Sequence, residues 1–127
     1  MNTSILNKYD IEFRIVSDSD GDKTLDVSQK IPTDLNYFIS SYFLAMSPEI
    51  FLEDILPEIN KALNGQPFNK EGGGFMTFLT IGTSISSFKS SNALAGTATI
   101  PTQDIRDVIQ AWCDWITDNN LEKYLGS

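Results

Sequence analysis

The densest group of ligand-type side chains in the sequence is the acidic run Asp18-Ser19-Asp20-Gly21-Asp22. Carboxylates spaced around a glycine are typical of calcium-binding loops. When Gly21 is aligned with the fixed glycine of an EF-hand loop, however, Val16 and Val27 occupy two of the ligand positions. Neither valine can bind a cation, so the run is interpreted as a solvated turn without metal. A weak calcium site is the alternative.

Three other motifs lack residues that their chemistry needs. Gly72-Gly73-Gly74 is not followed by the lysine, hydroxyl residue and helix start of a phosphate-binding loop. In Gly82-Thr83-Ser84-Ile85-Ser86, the last position is serine, where a nucleophile elbow requires glycine. Cys113 has Asp114 beside it and no neighbouring cation, so a buried, inert thiol is expected. None of these motifs predicts catalysis.

The 127 residues contain no histidine, which excludes Ser-His-Asp and Cys-His groups within this chain and removes the commonest zinc ligand. Carboxylates alone could still catalyse hydrolysis, and two pairs stand one helical turn apart, Glu49 with Glu53 and Asp114 with Asp118. Both pairs fall on predicted solvent faces, where nothing would tune them for acid or base catalysis. The sequence therefore favours a binding protein without a cofactor over an enzyme.

Charge defines the class of partner. Seventeen acids face nine bases, which gives a formal net charge of −8. Such a field repels phosphate backbones and anionic membranes, so neither nucleic acid nor membrane is expected as a partner. It attracts basic proteins and steers their encounter, which makes a basic protein the expected partner.

The acids are gathered into patches that we predict to bind this partner. The last predicted helix carries four aspartates within roughly 80° of the helical wheel, with Trp115 at the border of the apolar face. They are Asp104, Asp107, Asp114 and Asp118. Residues 31–60 contain five acids and no base, and four of these acids, Glu49, Glu53, Asp54 and Glu58, form the alternative patch. The sequence does not decide between the two patches.

The elements that position these acids follow from hydrophobic periodicity. Tyr9–Val16 alternates as a half-buried strand and pairs with a second strand at Leu25 and Val27. A helix begins at the cap Thr33. Another begins at Ser47-Pro48, with a kink at Pro57.

The second half of the chain begins with a predicted loop, Gln66–Gly74. Three strands follow, Phe75–Ile81, Ser84–Lys89 and Leu94–Ile100, and then a helix over Thr102–Asp118 that is capped by Thr102. The tail Asn119–Ser127 is expected to fray unless its apolar residues dock it.

These elements predict a single α+β domain over residues 1–127. The expected order is ββααβββα, with one antiparallel sheet of about five strands and three helices mainly on one face.

The chain resembles the small acidic immunity proteins of bacterial contact-dependent inhibition and related polymorphic-toxin systems. The resemblance lies in the strand Tyr9–Phe13, the acidic central helices, and the strand-to-helix segment Thr99–Ile105 with Trp112 and Trp115. It implies an inhibitor that binds a cognate toxin domain, often a basic nuclease, and blocks its active site. It carries no residue-level motif, and no site residue is transferred from it.

Two alternatives stay open. The first is a chaperone of the type III secretion class, which is also small, acidic and α+β but normally begins with a helix and dimerises. The second is a carboxylate-dependent hydrolase. The single cysteine, the absence of a leader-like start and the absence of a run of roughly 20 apolar residues favour the cytoplasm. A monomer or weak dimer is expected.

Overall fold

The protein has an α+β fold, as predicted, in a computed structural model that describes residues 2–92 and 96–125. The first half contains α1 (Thr3–Lys8), β1 (Ile11–Ser17), β2 (Lys23–Gln29), α2 (Asp34–Leu44), α3 (Pro48–Ile50), a π-helical turn (Phe51–Ile55) and α4 (Leu56–Leu63). The second half contains β3 (Glu71–Gly74), β4 (Thr77–Thr80), β5 (Ile85–Ser90), β6 (Thr97–Pro101), α5 (Thr102–Asp118) and a 3-10 turn (Glu122–Tyr124).

The strands form two antiparallel sheets, so the prediction of a single sheet of about five strands is wrong. β1 and β2 pair only with each other, and β3-β4-β5-β6 form a four-stranded meander. The extra strand is β3, which includes the three glycines that were predicted to be a loop. Leu94, the predicted start of the last strand, lies outside the described residues, and the observed strand is Thr97–Pro101.

Glycines form β3 because side chains would not fit there. A Cβ atom on Gly72 would lie 2.8 Å from a methyl carbon of Leu79, and one on Gly74 would lie 1.9 Å from the carbonyl oxygen of Thr77. Gly74 also has φ of 134°, which side chains rarely allow. The buried hydroxyl of Tyr42 donates a hydrogen bond to the carbonyl of Gly72 and ties this edge strand to α2.

The chain begins with a short helix and not with the predicted strand. Tyr9, predicted as the first strand residue, instead ends α1, and Asp10 has φ of 54° at the corner into β1. Ile11 and Phe13 are buried, but Ile15 is 45% exposed. The far half of the β1–β2 hairpin therefore extends beyond the core.

The predicted start of α2 is confirmed, and near Pro57, where a kink was predicted, the helix contains a π-helical turn. The Thr33 hydroxyl accepts a hydrogen bond from the backbone N–H of Asn36, as an N-cap should. Ahead of Pro57, the N–H of Leu56 bonds to the carbonyl of Phe51, five residues back. This wide turn lies where the proline ring would clash with the preceding turn of a regular helix.

The predicted cap of α5 is wrong. Pro101 occupies the capping position, and Thr102 is the first helical residue, fully buried. Its hydroxyl donates to the carbonyl of Gly82 at 2.8 Å and lies 2.7 Å from the hydroxyl of Ser86. Thr102 therefore fixes the start of α5 to the β4–β5 turn.

The helices lie mainly on one face of the four-stranded sheet, as predicted. α2 and α5 contact β5 and β6, and the side chains that point towards them, Leu79, Phe88 and Ile100, are buried. No helix within the described ranges is long and apolar enough to cross a membrane.

We expect Gly74→Ala to destabilise the protein far more than Gly21→Ala. Both positions have positive φ, but a Cβ on Gly21 meets nothing within 4 Å. Strain alone should cost about 1–2 kcal/mol in Gly21→Ala, and the clash with Thr77 should add to this in Gly74→Ala. Urea unfolding measures both, and equal losses would contradict this account of β3.

Candidate protein-binding groove

An open groove of about 500 Å³ lies where the start of the α3–α4 segment meets the end of α5. We call it the acidic groove. Its lining residues come from the loop before α3, from α3 and the π-helical turn, from the last turn of α5 and from the tail. They are Ser47, Pro48, Glu49, Leu52, Glu53, Thr117, Glu122 and Leu125.

Packing of α5 against α3 brings these segments together. The buried thiol of Cys113 lies 3.9 Å from the carbonyl oxygen of Pro48. After α5, the N–H of Leu121 bonds to the carbonyl of Ile116, and the Leu121 side chain is buried. The chain therefore turns back against the core and presents Glu122 and Leu125 to the groove.

The groove combines apolar side chains with uncompensated negative charge. Leu52, which is 42% exposed, lines it together with Pro48 and Leu125. Glu49, Glu53 and Glu122 supply three carboxylates, and none of them has an ion pair within residues 2–92 and 96–125. None of the described lysines or arginines lines the groove. Lys123, the cation next to Glu122 in sequence, lies over the ring of Tyr124.

The alternative patch is divided by the structure. Glu49 and Glu53 line the groove, and Asp54 is exposed outside its lining. Glu58 instead pairs with Lys61 at 2.8 Å and accepts the backbone N–H of Asn69. The hydrogen bond from Lys61, then that from Asn69, lowers the pKa of Glu58 below its ordinary value. Glu58 therefore stabilises the connection between α4 and β3.

Asp104 is not part of an exposed acidic surface, and its assignment to one is wrong. Its carboxylate is buried and accepts hydrogen bonds from Lys8 at 2.8 Å and from the hydroxyl of Tyr9. Burial alone would raise its pKa, but the hydrogen bonds from Lys8 and Tyr9 and the charge of Lys8 hold it below the ordinary value. Asp104 thus joins α1 to α5.

The other predicted residues of α5 differ in what they offer a partner. Asp107 accepts hydrogen bonds from Arg106 and Gln103, and Asp114 accepts one from Gln110. Trp115 is half-buried, with its ring 5.5 Å from that of Phe13. Asp118 is exposed and follows Thr117, which lines the groove. Of the predicted aspartates of α5, Asp118 is therefore the one beside the groove.

The acidic run of the hairpin forms a self-supporting turn. One carboxylate oxygen of Asp18 accepts the backbone N–H groups of both Asp20 and Asp22 at 2.9 Å. All three side chains are exposed, and they are the acids in the described residues that come close enough together to share a cation. The hydrogen bonds account for this arrangement as a turn.

Sequence reasoning missed Glu122 and Leu125 as groove residues. The apolar residues Leu121, Tyr124 and Leu125 already indicated that the tail could dock, but nothing local indicates where it docks. Comparisons with protein-family models, curated proteins and solved structures found no match to this chain. The groove is therefore interpreted from its own geometry.

We expect Asp104→Asn to destabilise the fold at neutral pH by about 1.5–3 kcal/mol, because it removes charge-assisted hydrogen bonds from a buried position. The folded-state pKa of Asp104 lies below its unfolded value. Its stabilising effect is therefore complete above about pH 5, where the unfolded carboxyl is ionised, and is lost as the pH falls through the folded pKa. Urea unfolding from pH 7 to pH 2 should show the difference between wild type and variant shrinking in acid. Glu12→Gln, at an exposed strand position, is the control, and equal losses in both variants would contradict the assignment.

We expect Cys113 to react with a thiol reagent only when the protein opens. Burial, and then the charge of Asp114, raise the pKa of this thiol to about 12. Labelling of the native protein at pH 8 should follow the rate of opening and accelerate in urea. Rapid labelling under native conditions would contradict the burial of Cys113.

Proposed function

We propose that the acidic groove binds basic side chains of a partner protein, and that the chain is an immunity protein that neutralises a cognate toxin domain. The observation that supports this most is the set of three carboxylates, Glu49, Glu53 and Glu122, that have no ion pair among the described residues and line the groove together with the apolar side chain of Leu52. Unpaired acids held together repel one another, so they lower stability unless a cation approaches them. A partner that supplies the cation relieves this repulsion.

The mixed lining of the groove matches the two parts of a lysine or arginine side chain. The methylene stem can lie against Leu52 and Leu125, while the cationic end reaches the carboxylates of Glu49, Glu53 or Glu122. A volume of about 500 Å³ accommodates only a few side chains. The groove would therefore anchor a partner whose remaining contacts lie on the surrounding surface.

A nuclease toxin fits this chemistry because its cleft carries lysines and arginines that hold phosphate groups. An acidic protein with net charge −8 can occupy such a cleft in place of nucleic acid and is drawn to it over long distances. Asp54 and Asp118, exposed outside the groove lining, would add to this attraction. The proposed compartment is the cytoplasm, where such a toxin acts.

One observation favours a second candidate, the secretion chaperone. The first described element is the helix α1, and chaperones of this class normally begin with a helix. The sequence had predicted a strand as the first element. α1 is only six residues long, and its residue Lys8 pairs with Asp104. A stable dimer that binds a secreted effector would favour the chaperone over the immunity protein.

The proposal predicts that a toxin-like protein is encoded next to this chain, and the test is association with that protein, purified with its active site inactivated. We expect Glu49→Lys/Glu53→Lys to slow association by about tenfold and to flatten its dependence on salt. Glu12→Lys/Asp20→Lys makes the same change in net charge at exposed positions outside the groove and should have a smaller effect.

Two results would contradict parts of the proposal. If Asp107→Lys/Asp114→Lys abolishes binding while the groove variant binds normally, the site lies on the side of α5 and not in the groove. If the wild-type protein neither binds the neighbouring product nor protects cells from it, the immunity function itself is wrong.

A further inference from the structure

One face of the four-stranded sheet has no helix from the described part of the chain packed on it. We call it the outer sheet face. α2 and α5 contact the opposite face, where alternate residues are buried. The residues between them point outward and are exposed or half-buried. They are Glu71, Phe78, Thr80, Ile85, Ser87, Lys89, Thr97 and Thr99.

The strand register orders these outward residues into rows. Phe78, Lys89 and Thr97 lie side by side on three neighbouring strands. The next row runs from Glu71 through Thr80 and Ser87 to Thr99. The result is a surface that consists largely of threonine and serine side chains, with a glutamate on the β3 edge and a lysine two strands away.

This face differs from the rest of the molecule in its charge. It carries one acid, Glu71, and one base, Lys89, although the chain as a whole carries −8. Neither side chain has an ion pair within residues 2–92 and 96–125. Two copies of the chain can therefore approach through this face without bringing acid against acid.

Apolar side chains on and beside the outer sheet face favour its burial against another surface. Ile85 is 55% exposed at one end of the sheet, and Phe78 lies half-buried on β4 towards the opposite end. At the other end, the β3–β4 connection exposes Phe75 by 72% and Met76 by 54%. Covering such side chains removes apolar surface from water.

We propose that the outer sheet faces of two copies stack about a two-fold axis to form a symmetric dimer. In a two-fold interface each contact between two different residues occurs twice, once in each direction. Lys89 of each copy would then pair with Glu71 of the other. Because β4 lies between the strands that carry these two residues, the axis would pass near Phe78, which would pack against its own counterpart.

The small area of the outer sheet face limits the affinity of this dimer. Four strands spaced about 4.8 Å apart, with roughly five residues each, cover roughly 300 Å². A stable interface buries about 800 Å² on each partner. The dimer is therefore weak and forms as the concentration rises. The acidic groove belongs to the helical side of the molecule, so the dimer does not depend on the proposed immunity function.

Sedimentation of the full chain over a wide concentration range tests the dimer, and charge exchange tests its geometry. We expect Lys89→Glu to raise the dimer dissociation constant about tenfold, because two glutamates then face each other across the interface. Glu71→Lys should also weaken the dimer by placing two lysines together. The double variant Glu71→Lys/Lys89→Glu should restore wild-type association, since each pair is re-formed with its charges exchanged.

Controls separate this pairing from effects of net charge. Lys30→Glu and Glu12→Lys make the same changes of charge at exposed positions away from the face, and they should shift the dissociation constant much less. Ile85→Asp changes an exposed side chain and should weaken the dimer without unfolding the protein. A protein that stays monomeric at all concentrations, or a double variant weaker than both single variants, would overturn the proposal.

Discussion

The packing of Trp112 in the centre of the molecule determines where the other elements lie. Its ring stacks on Phe43 of α2 at 5.9 Å and meets the edge of Phe13 of β1 at 5.0 Å. One fully buried side chain of α5 thus contacts the central helix and the first hairpin together. Phe43 in turn packs against Phe51 of the π-helical turn. These contacts set the position of α5, and therefore of its last turn beside α3, where the acidic groove forms.

The distribution of charge follows from this arrangement. Some acids form ion pairs with bases of the same chain, as Asp104 does with Lys8, Asp26 with Arg14 and Glu58 with Lys61. Acids at the junction of α3 with the tail have no such partners among the described residues. With nine bases against seventeen acids, intramolecular pairing cannot neutralise the chain. The acids without an ion pair among the described residues include those of the groove and of the hairpin turn, and together these acids give the molecule its attraction for cations.

The parts of the fold that sequence reasoning predicted are those decided by neighbouring residues. The capping of α2 by Thr33 depends on side chains within a few positions and appears as expected. A kink was expected at Pro57, and the structure has a π-helical turn just ahead of this residue. The wrong predictions concern side chains whose partners are distant in the sequence. Thr102 looks like a cap, but Gly82 and Ser86 bind its hydroxyl.

The candidate site, too, could be predicted only where residues close in sequence determine it. Helical spacing placed Asp104 with the other acids of α5, but it could not reveal Lys8 and Tyr9, almost a hundred residues earlier, which bury it. The same limit explains the groove. Glu49 and Glu53 were identified from their spacing and charge, whereas Glu122 joins them only through the turn of the tail after α5. Local sequence contains no signal for that meeting.

The central claim is that the acidic groove is the surface that a basic partner contacts. Mapping of amide chemical shifts during titration with the proposed toxin partner, its active site inactivated, tests it most directly, because it reports on the backbone along the chain without substitution. The account predicts the largest changes at Glu49, Leu52, Glu53 and Glu122, with small changes on the outer sheet face. Largest changes on the β1–β2 hairpin or along the middle of α5, with an unaffected groove, would contradict it.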